Sequence, residues 1–336
     1  MYFYKMLFSL TMIIGTFVSI SSYSWMGMWI GLEINLLSII PLMSESNNSL
    51  ATEATLKYFI TQVLASTLIL FSIIMLSLNF MYNSLLIDPF TLMMNTALLM
   101  KMGAAPFHFW FPEVIEGLNW TNSFIMMTWQ KIAPMVLLSY TNINITYVSI
   151  CVVISMIVSG ISGLNQISMR KILAYSSINH IGWMLTAMMF TENIWSYYFI
   201  IYSMMSFNII YILNKFNIYY LKQLFISLNT QPIPKLFFNL NFLSLGGLPP
   251  FIGFLPKWLT IQMLINNEYY LLALLMMMLT LMTLYFYMRV TFSTVILKMS
   301  EPSFFKNNIN KTNIIMTINF IVLISLIFCT LSFNFQ

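Results

Sequence analysis

The chain is 336 residues long, 60% hydrophobic and 7% charged, with a formal net charge of +5 and a mean hydropathy of +0.84. Soluble domains carry about a quarter charged residues, so this composition excludes a soluble enzyme. At roughly 20 apolar residues per bilayer crossing, the length holds about ten to twelve transmembrane helices and almost nothing beyond them.

The same counts exclude several chemistries. Cys151 and Cys329 lie in long apolar runs, and His108 and His180 are far apart, so no metal or disulfide framework fits their spacing. Neither a GxxxxGK[ST] phosphate loop nor a GxGxxG turn between strand and helix is present. The basic residues sit in loops between apolar runs, where membrane orientation accounts for them, and no nucleic-acid partner is expected. Thirty methionines against two arginines, Arg170 and Arg289, match the usage of an AT-rich organellar genome. The segment from Lys5 to Ser22 superficially resembles a signal peptide and reads as an uncleaved first span.

In chain order, the apolar runs predict eleven spans, at about 4–22, 25–44, 54–81, 90–111, 121–140, 146–164, 172–190, 194–213, 236–266, 270–298 and 312–333. The expected fold class is an all-α integral membrane protein with two five-helix repeats, 1–140 and 146–298, and a C-terminal helix at 312–333. Two spans carry helix breakers: Gly103 to Pro106 in the fourth, and Gly246, Gly247, Pro249 and Pro250 in the ninth. Proline removes a backbone donor and clashes with the preceding turn, so discontinuous helices are expected there. Each broken span is the fourth of its five, and an odd number of spans inverts the second copy relative to the first. Paired broken helices in inverted repeats are the architecture of ion-coupled secondary transporters.

Loop charges follow the same alternation. The N-terminal side collects Lys5, Arg170, Lys171, Lys215, Lys222, Lys235, Lys306 and Lys311, while the opposite side holds Asp88, Glu192 and Glu268 without Lys or Arg. The positive-inside rule then puts the N-terminus in the matrix or cytoplasm and Gln336 outside. Lys57 and Arg289 fall near span ends and mark the interface. The pair Gly27 and Gly31 fits a close helix contact, and Met276 to Met278 read as lipid-facing or packing surface.

Glu33, Lys101, Lys131 and Lys257 fall near mid-span, where a charge costs about 2.5–3.5 kcal/mol on insertion scales. Bland alternatives exist: Lys257 could snorkel from a helix end, and Glu33 could be a hydrogen-bonded packing residue. Lys101 and Lys131 are about ten residues from both ends of their spans, too deep for a stem of roughly 6 Å. The functional reading makes the three lysines proton carriers along a hydrated mid-membrane path. Burial favours the neutral amine and a carboxylate such as Glu33 favours the charged one, so such a lysine can switch, whereas arginine cannot. His180, in the run Ser176-Ser177-Ile178-Asn179-His180, is a relay candidate because Ser and Asn can hold water. His108 is either a relay or a hydrogen-bonded structural histidine.

Together, Gly31-Leu32-Glu33-Ile34-Asn35, Lys101-Met-Gly-Ala-Ala-Pro-Phe-His-Phe-Trp110, Trp129-Gln130-Lys131, Arg170-Lys171-Ile-Leu-Ala-Tyr-Ser-Ser177 and Gly246-Gly247-Leu-Pro-Pro-Phe-Ile-Gly-Phe-Leu-Pro-Lys257-Trp258 resemble the chain 2 family of antiporter-like subunits of mitochondrial NADH–ubiquinone oxidoreductase, respiratory complex I. The resemblance implies a proton-translocating subunit in which Glu33, Lys101, Lys131 and Lys257 match the family's buried glutamate and three lysines, and His180 falls on its histidine motif. The related chain 4 family carries a glutamate where Lys257 stands. The resemblance further implies that NADH, FMN, iron–sulfur clusters and ubiquinone are handled by other subunits, with no cofactor bound by this chain. The implied partners are chains 4 and 4L, the lateral helix of chain 5, accessory subunits, and membrane lipids such as cardiolipin. The implied location is the mitochondrial inner membrane, with the N-terminus in the matrix and the C-terminus in the intermembrane space. Bacterial relatives have fourteen helices, and this chain is expected to begin at their fourth. A free-standing cation/proton antiporter would share the broken helices and buried lysines, but no intramembrane Asp pair suited to Na⁺ is present. A passive scaffold would leave four costly charges without purpose.

Overall fold

The computed structural model of the chain describes residues 3–45, 48–79, 87–229, 232–249 and 251–296. These residues are helical apart from short connections, and the extended pairing among them is an isolated bridge between Ser168 and Tyr220. Two compact units meet inside one helix, between Ile154 and Ser155. The first unit holds α1 (Phe3–Ser21), α2 (Trp25–Met43), α3 (Ser49–Asn79), α4 (Ile87–Met102), α5 (Trp110–Gly117), α6 (Trp120–Met127), α7 (Trp129–Tyr140) and the start of α8 (Ile145–Leu164). The second holds the rest of α8, then α9 (Met169–Phe190), α10 (Glu192–Lys215), α11 (Leu221–Asn229), α12 (Pro232–Gly246), α13 (Phe254–Asn266) and α14 (Tyr270–Ile296). Six of these, α1, α2, α3, α8, α10 and α14, are long and apolar enough to cross a membrane. The expected C-terminal helix at 312–333 and Pro250 lie outside the described residues.

Packing explains why α9 can be less apolar than these six. Every residue from Ser176 to Met188 is buried, so this helix meets protein on all sides and carries polar residues on partners rather than against lipid. By contrast, α1 buries only Met12, Gly15, Thr16 and Ser19, a single stripe. That stripe crosses α2 at very close range. A Cβ on Gly31 would lie 2.4 Å from the Ser19 nitrogen, and one on Gly15 would lie 2.9 Å from the Asn35 nitrogen. Small residues thus let two backbones touch, although Gly31 pairs with Gly15 across the interface, while Gly27 sits against Ser22 and Ser24.

Within each unit the connections gather at two ends. In the first, Asn119 hydrogen-bonds the Glu45 carboxylate and Asn122 donates to the Leu42 carbonyl, which joins the α2–α3 and α5–α6 connections. At its other end, Tyr140 donates to the Ile20 carbonyl, and Asn95 contacts both Thr141 and Asn142. In the second unit, Met169 N–H donates to Tyr219 O and Leu221 N–H to Ile167 O, while the Arg170 guanidinium stacks 4.8 Å from the Tyr219 ring centre. Phe190 and Tyr269 meet at the far end, 5.3 Å apart.

Both expected breaks are present, and they share a local design. At the end of α4, Gly103 has φ +75°, Gly103 N–H bonds Met100 O, and Ala104 N–H reaches Leu99 O. At the end of α12, Gly247 has φ +80°, Gly247 N–H bonds Ser244 O, and Leu248 N–H reaches Leu243 O. This is the left-handed glycine terminator, which glycine adopts without steric penalty. In sequence the two breaks read Gly103-x-x-Pro106-Phe107-x-x-x-x-Pro112-Glu113 and Gly247-x-x-Pro250-Phe251-x-x-x-x-Pro256-Lys257.

A third interruption departs from expectation. The fifth predicted span, 121–140, is two helices, α6 and α7, with a turn at Thr128 (φ −117°, ψ −73°). Pro134, inside α7, has no N–H for the Gln130 carbonyl and disturbs the turn before it. The loop expected at 214–235 also contains the short helix α11.

Candidate functional site

In the first unit the buried charge gathers around one cavity. Its walls include Asn35 from α2, Tyr58 and Gln62 from α3, Lys101 from α4, Phe111 from α5, and Gln130 and Lys131 from α7. About 20 Å³ is open to the centre of a water-sized sphere, enough for a single water. The interruption at Thr128 makes Lys131 the third residue of α7. Its side chain, 1% exposed, carries Nζ to 5.3 Å from the centre of the Phe111 ring. Lys101 is the penultimate residue of α4 and 7% exposed.

The polar neighbours divide into partnered and waiting groups. Gln130 Nε2 donates to Asn35 Oδ1 at 2.9 Å, whereas Gln62 Nε2 is enclosed without a hydrogen-bond partner among the described residues. Half-buried Glu33 has an enclosed Oε1 in the same condition. It lies within electrostatic reach of Lys101 and Tyr58, without an ion pair to either. At the break, the Trp110 indole N–H donates to the Met100 carbonyl, which also accepts from Gly103 N–H at the glycine terminator of α4. His108 is buried on Phe109, ring centres 4.3 Å apart, inside the break formed by Gly103 and Pro106 rather than on the cavity wall.

In the second unit the equivalent capping donor is a lysine. Lys257 lies in the first turn of α13, and helical side chains lean toward the N-terminus, so its amine reaches back across the break. There Nζ donates to Gly246 O at 2.8 Å and Leu245 O at 3.3 Å, with the Trp183 ring centre 5.8 Å away. At 6% exposure, Lys257 is enclosed by the chain. A Cβ on Gly247 would lie 2.7 Å from Lys257 Cδ, so Gly247 makes room for this contact. On α9, His180 Nδ1 shares a 2.8 Å hydrogen bond with Tyr198 of α10, and its ring lies 4.9 Å from Tyr202. Asn179 Nδ2 contacts Thr283 Oγ1. A smaller cavity of about 10 Å³ joins His180, Tyr198 and Tyr202 to Ser244, Leu245, Gly253 and Pro256 at the break.

The structure thus brings Lys101 and Lys131 together, with Glu33 nearby, and separately brings His180 to the break that holds Lys257. Sequence reasoning missed Asn35, Tyr58, Gln62, Gln130 and Tyr198. Gln62 and Asn35 each carried a signal, an amide in the middle of an apolar helix. Half-buried Lys57 is paired at 2.8 Å with both Glu53 and Glu113. Glu113 follows the first break as Lys257 follows the second, yet it faces outward. Met276 is buried, while Met277 and Met278 are exposed.

Comparison with known proteins draws these features together. The model of the family described as "NADH:quinone oxidoreductase/Mrp antiporter, TM" matches residues 22–283, both breaks included. The chain belongs to this family. Among its members, the chain is 49% identical to NADH-ubiquinone oxidoreductase chain 2 of Anopheles gambiae, over 96% of this chain and 97% of that one. It is 38% identical to the Bos taurus protein of the same name, over 85% and 84% of the two chains. Its fold is similar to a chain of respiratory complex I from Thermus thermophilus, with TM-score 0.86 and 23% identity over 96% of this chain and 78% of that chain. A chain of the Mrp complex from Dietzia sp. is similar in fold as well, with TM-score 0.75 and 15% identity over 90% and 62% of the chains.

Proposed function

We propose that the chain is an antiporter-like, proton-translocating membrane subunit of respiratory complex I, driven by NADH-to-ubiquinone electron transfer in other subunits. The observation that carries the reading is the pair of buried lysines, Lys101 and Lys131, on the wall of one water-sized cavity. Two ammonium groups facing one low-dielectric space repel each other, so the pair is suited to share a single proton through an intervening water. Moving the charge at Glu33 changes which lysine holds it. Each proton carried across works against about 2.3 kcal/mol per 100 mV, which the redox step must supply.

In this reading the chain is a multi-pass protein of the mitochondrial inner membrane, N-terminus in the matrix and C-terminus in the intermembrane space. Residues 1–140 and 146–298 are inverted five-helix repeats. Neighbours are chains 4 and 4L, the lateral helix of chain 5, accessory subunits and lipids such as cardiolipin. NADH, FMN, iron–sulfur clusters and ubiquinone belong to other subunits. Proton carriage in this chain runs through Glu33, Lys101 and Lys131 in the first unit and through His180 and Lys257 in the second. His108 is a subsidiary relay, and Gly103, Pro106, Gly246, Gly247, Pro249 and Pro250 make the breaks. The second reading is a free-standing cation/proton antiporter, which would share the broken helices and buried lysines.

The test is Lys131→Met in the assembled complex, reconstituted in vesicles, with NADH oxidation and vesicle acidification measured together. Assembly should be retained and proton translocation should stop. Native pumping by this variant would refute the reading.

A further inference from the structure

We infer that Tyr198 is a proton-relay group that works as a hydrogen-bonded pair with His180 beside the second break. The inference rests on the proposal that His180 carries protons, and adds the group to which His180 passes them.

The placement begins with α10. Tyr198, Tyr202, Met205 and Ile209 are buried and recur at helical spacing, so they form the face turned inward, while the adjacent Tyr197 is 59% exposed. Phenylalanine would fill the same space as Tyr198, which is 2% exposed. A phenol at that depth requires a partner for its hydroxyl, and His180 Nδ1 supplies one at 2.8 Å. Both side chains face the small cavity that reaches Ser244, Leu245 and Pro256. Its volume of about 10 Å³ is at the lower limit for one water. Lys257, the residue after Pro256, donates to the carbonyl of Leu245 on the same wall.

A phenol suits this position because it both accepts and donates. With the imidazole in its Nδ1–H form, an incoming proton makes a new N–H bond at Nε2. The Nδ1–H bond then breaks as its proton passes to the Tyr198 oxygen, and the original phenolic proton leaves for a water at the break. One proton enters and one departs, and both rings finish neutral. Phenylalanine would interrupt this sequence without altering the packing.

The inference is tested with Tyr198→Phe, His180→Gln and Tyr197→Phe in the complete complex, scored for assembly on native gels and for NADH-driven proton uptake in vesicles. Tyr198→Phe should assemble and lose at least about tenfold in translocation, a conservative share of the usual acid–base contribution. His180→Gln should lose as much, and Tyr197→Phe nothing. Native translocation by Tyr198→Phe alongside a defective His180→Gln would overturn the role of Tyr198 and leave that of His180 standing. Native translocation by His180→Gln would overturn both. Should Tyr198→Phe fail to assemble, Tyr198→His and Tyr198→Met decide the matter. The imidazole should restore transport that the thioether cannot, and equal transport by the two would defeat the inference.

Discussion

Lys257 joins structure and proton chemistry at one atom. Its Nζ satisfies two carbonyls at the end of α12, where the helix leaves acceptors unpaired and its dipole is negative. Lys257→Met removes that donor and leaves buried carbonyls unsatisfied, at about 1–3 kcal/mol each. The complex should then lose both thermal stability and pumping. Lys257→Arg keeps a charge and hydrogen bonds but holds its proton, so it should recover much of the stability and none of the pumping. Thermal inactivation curves and vesicle acidification separate the two effects, and equal pumping by Arg and Lys would exclude proton release at this position. At the first break Trp110 and the Gly103 N–H both donate to the Met100 carbonyl, and Lys101 lines the cavity instead.

At the scale of elements, glycine decides how closely helices approach and where they stop. Gly31→Val would drive a side chain into the Ser19 backbone, which lies 2.4 Å from even a Cβ. Overpacking of this kind costs about 1–3 kcal/mol or more, so less of the variant should reach the mature complex on native gels. Gly247→Ala meets both a φ of +80° and the Lys257 side chain. It should displace Lys257 from the α12 carbonyls and lower pumping more than assembly, a split measured by transport per assembled complex. The Gly-x-x-Pro-Phe pattern made both breaks legible in sequence, because glycine and proline act on their own backbone. The interruption at Thr128 was less visible. The nearest proline, Pro134, stands six residues downstream inside α7, and α2 contains Pro41 with its helix intact to Met43. A proline inside a helix therefore signals strain without saying whether the neighbouring turn yields.

For the whole molecule, the decisive expectation concerns assembly. A native gel of mildly solubilised organellar membranes, stained for NADH dehydrogenase activity, should contain this chain in the active band when that band is analysed by mass spectrometry. Recovery solely in a small inactive band would support the free-standing antiporter. Composition by itself determined that the chain lives in a bilayer, since 7% charged residues cannot dress a soluble surface. Sequence also marked Lys101, Lys131 and Lys257 as costly in mid-span, because a charge taken out of water must be offset by a partner, hydrogen bonds or water wherever it ends up. Which groups face those lysines was decided by tertiary structure alone. Gln62 and Gln130 are 68 positions apart in the chain and line one cavity only because α3 and α7 pack around it, and Tyr198 differs from exposed Tyr197 only in the face of α10 it occupies. Helical periodicity can propose such faces, but in a helix apolar on every side the contacts between helices select the one that turns inward.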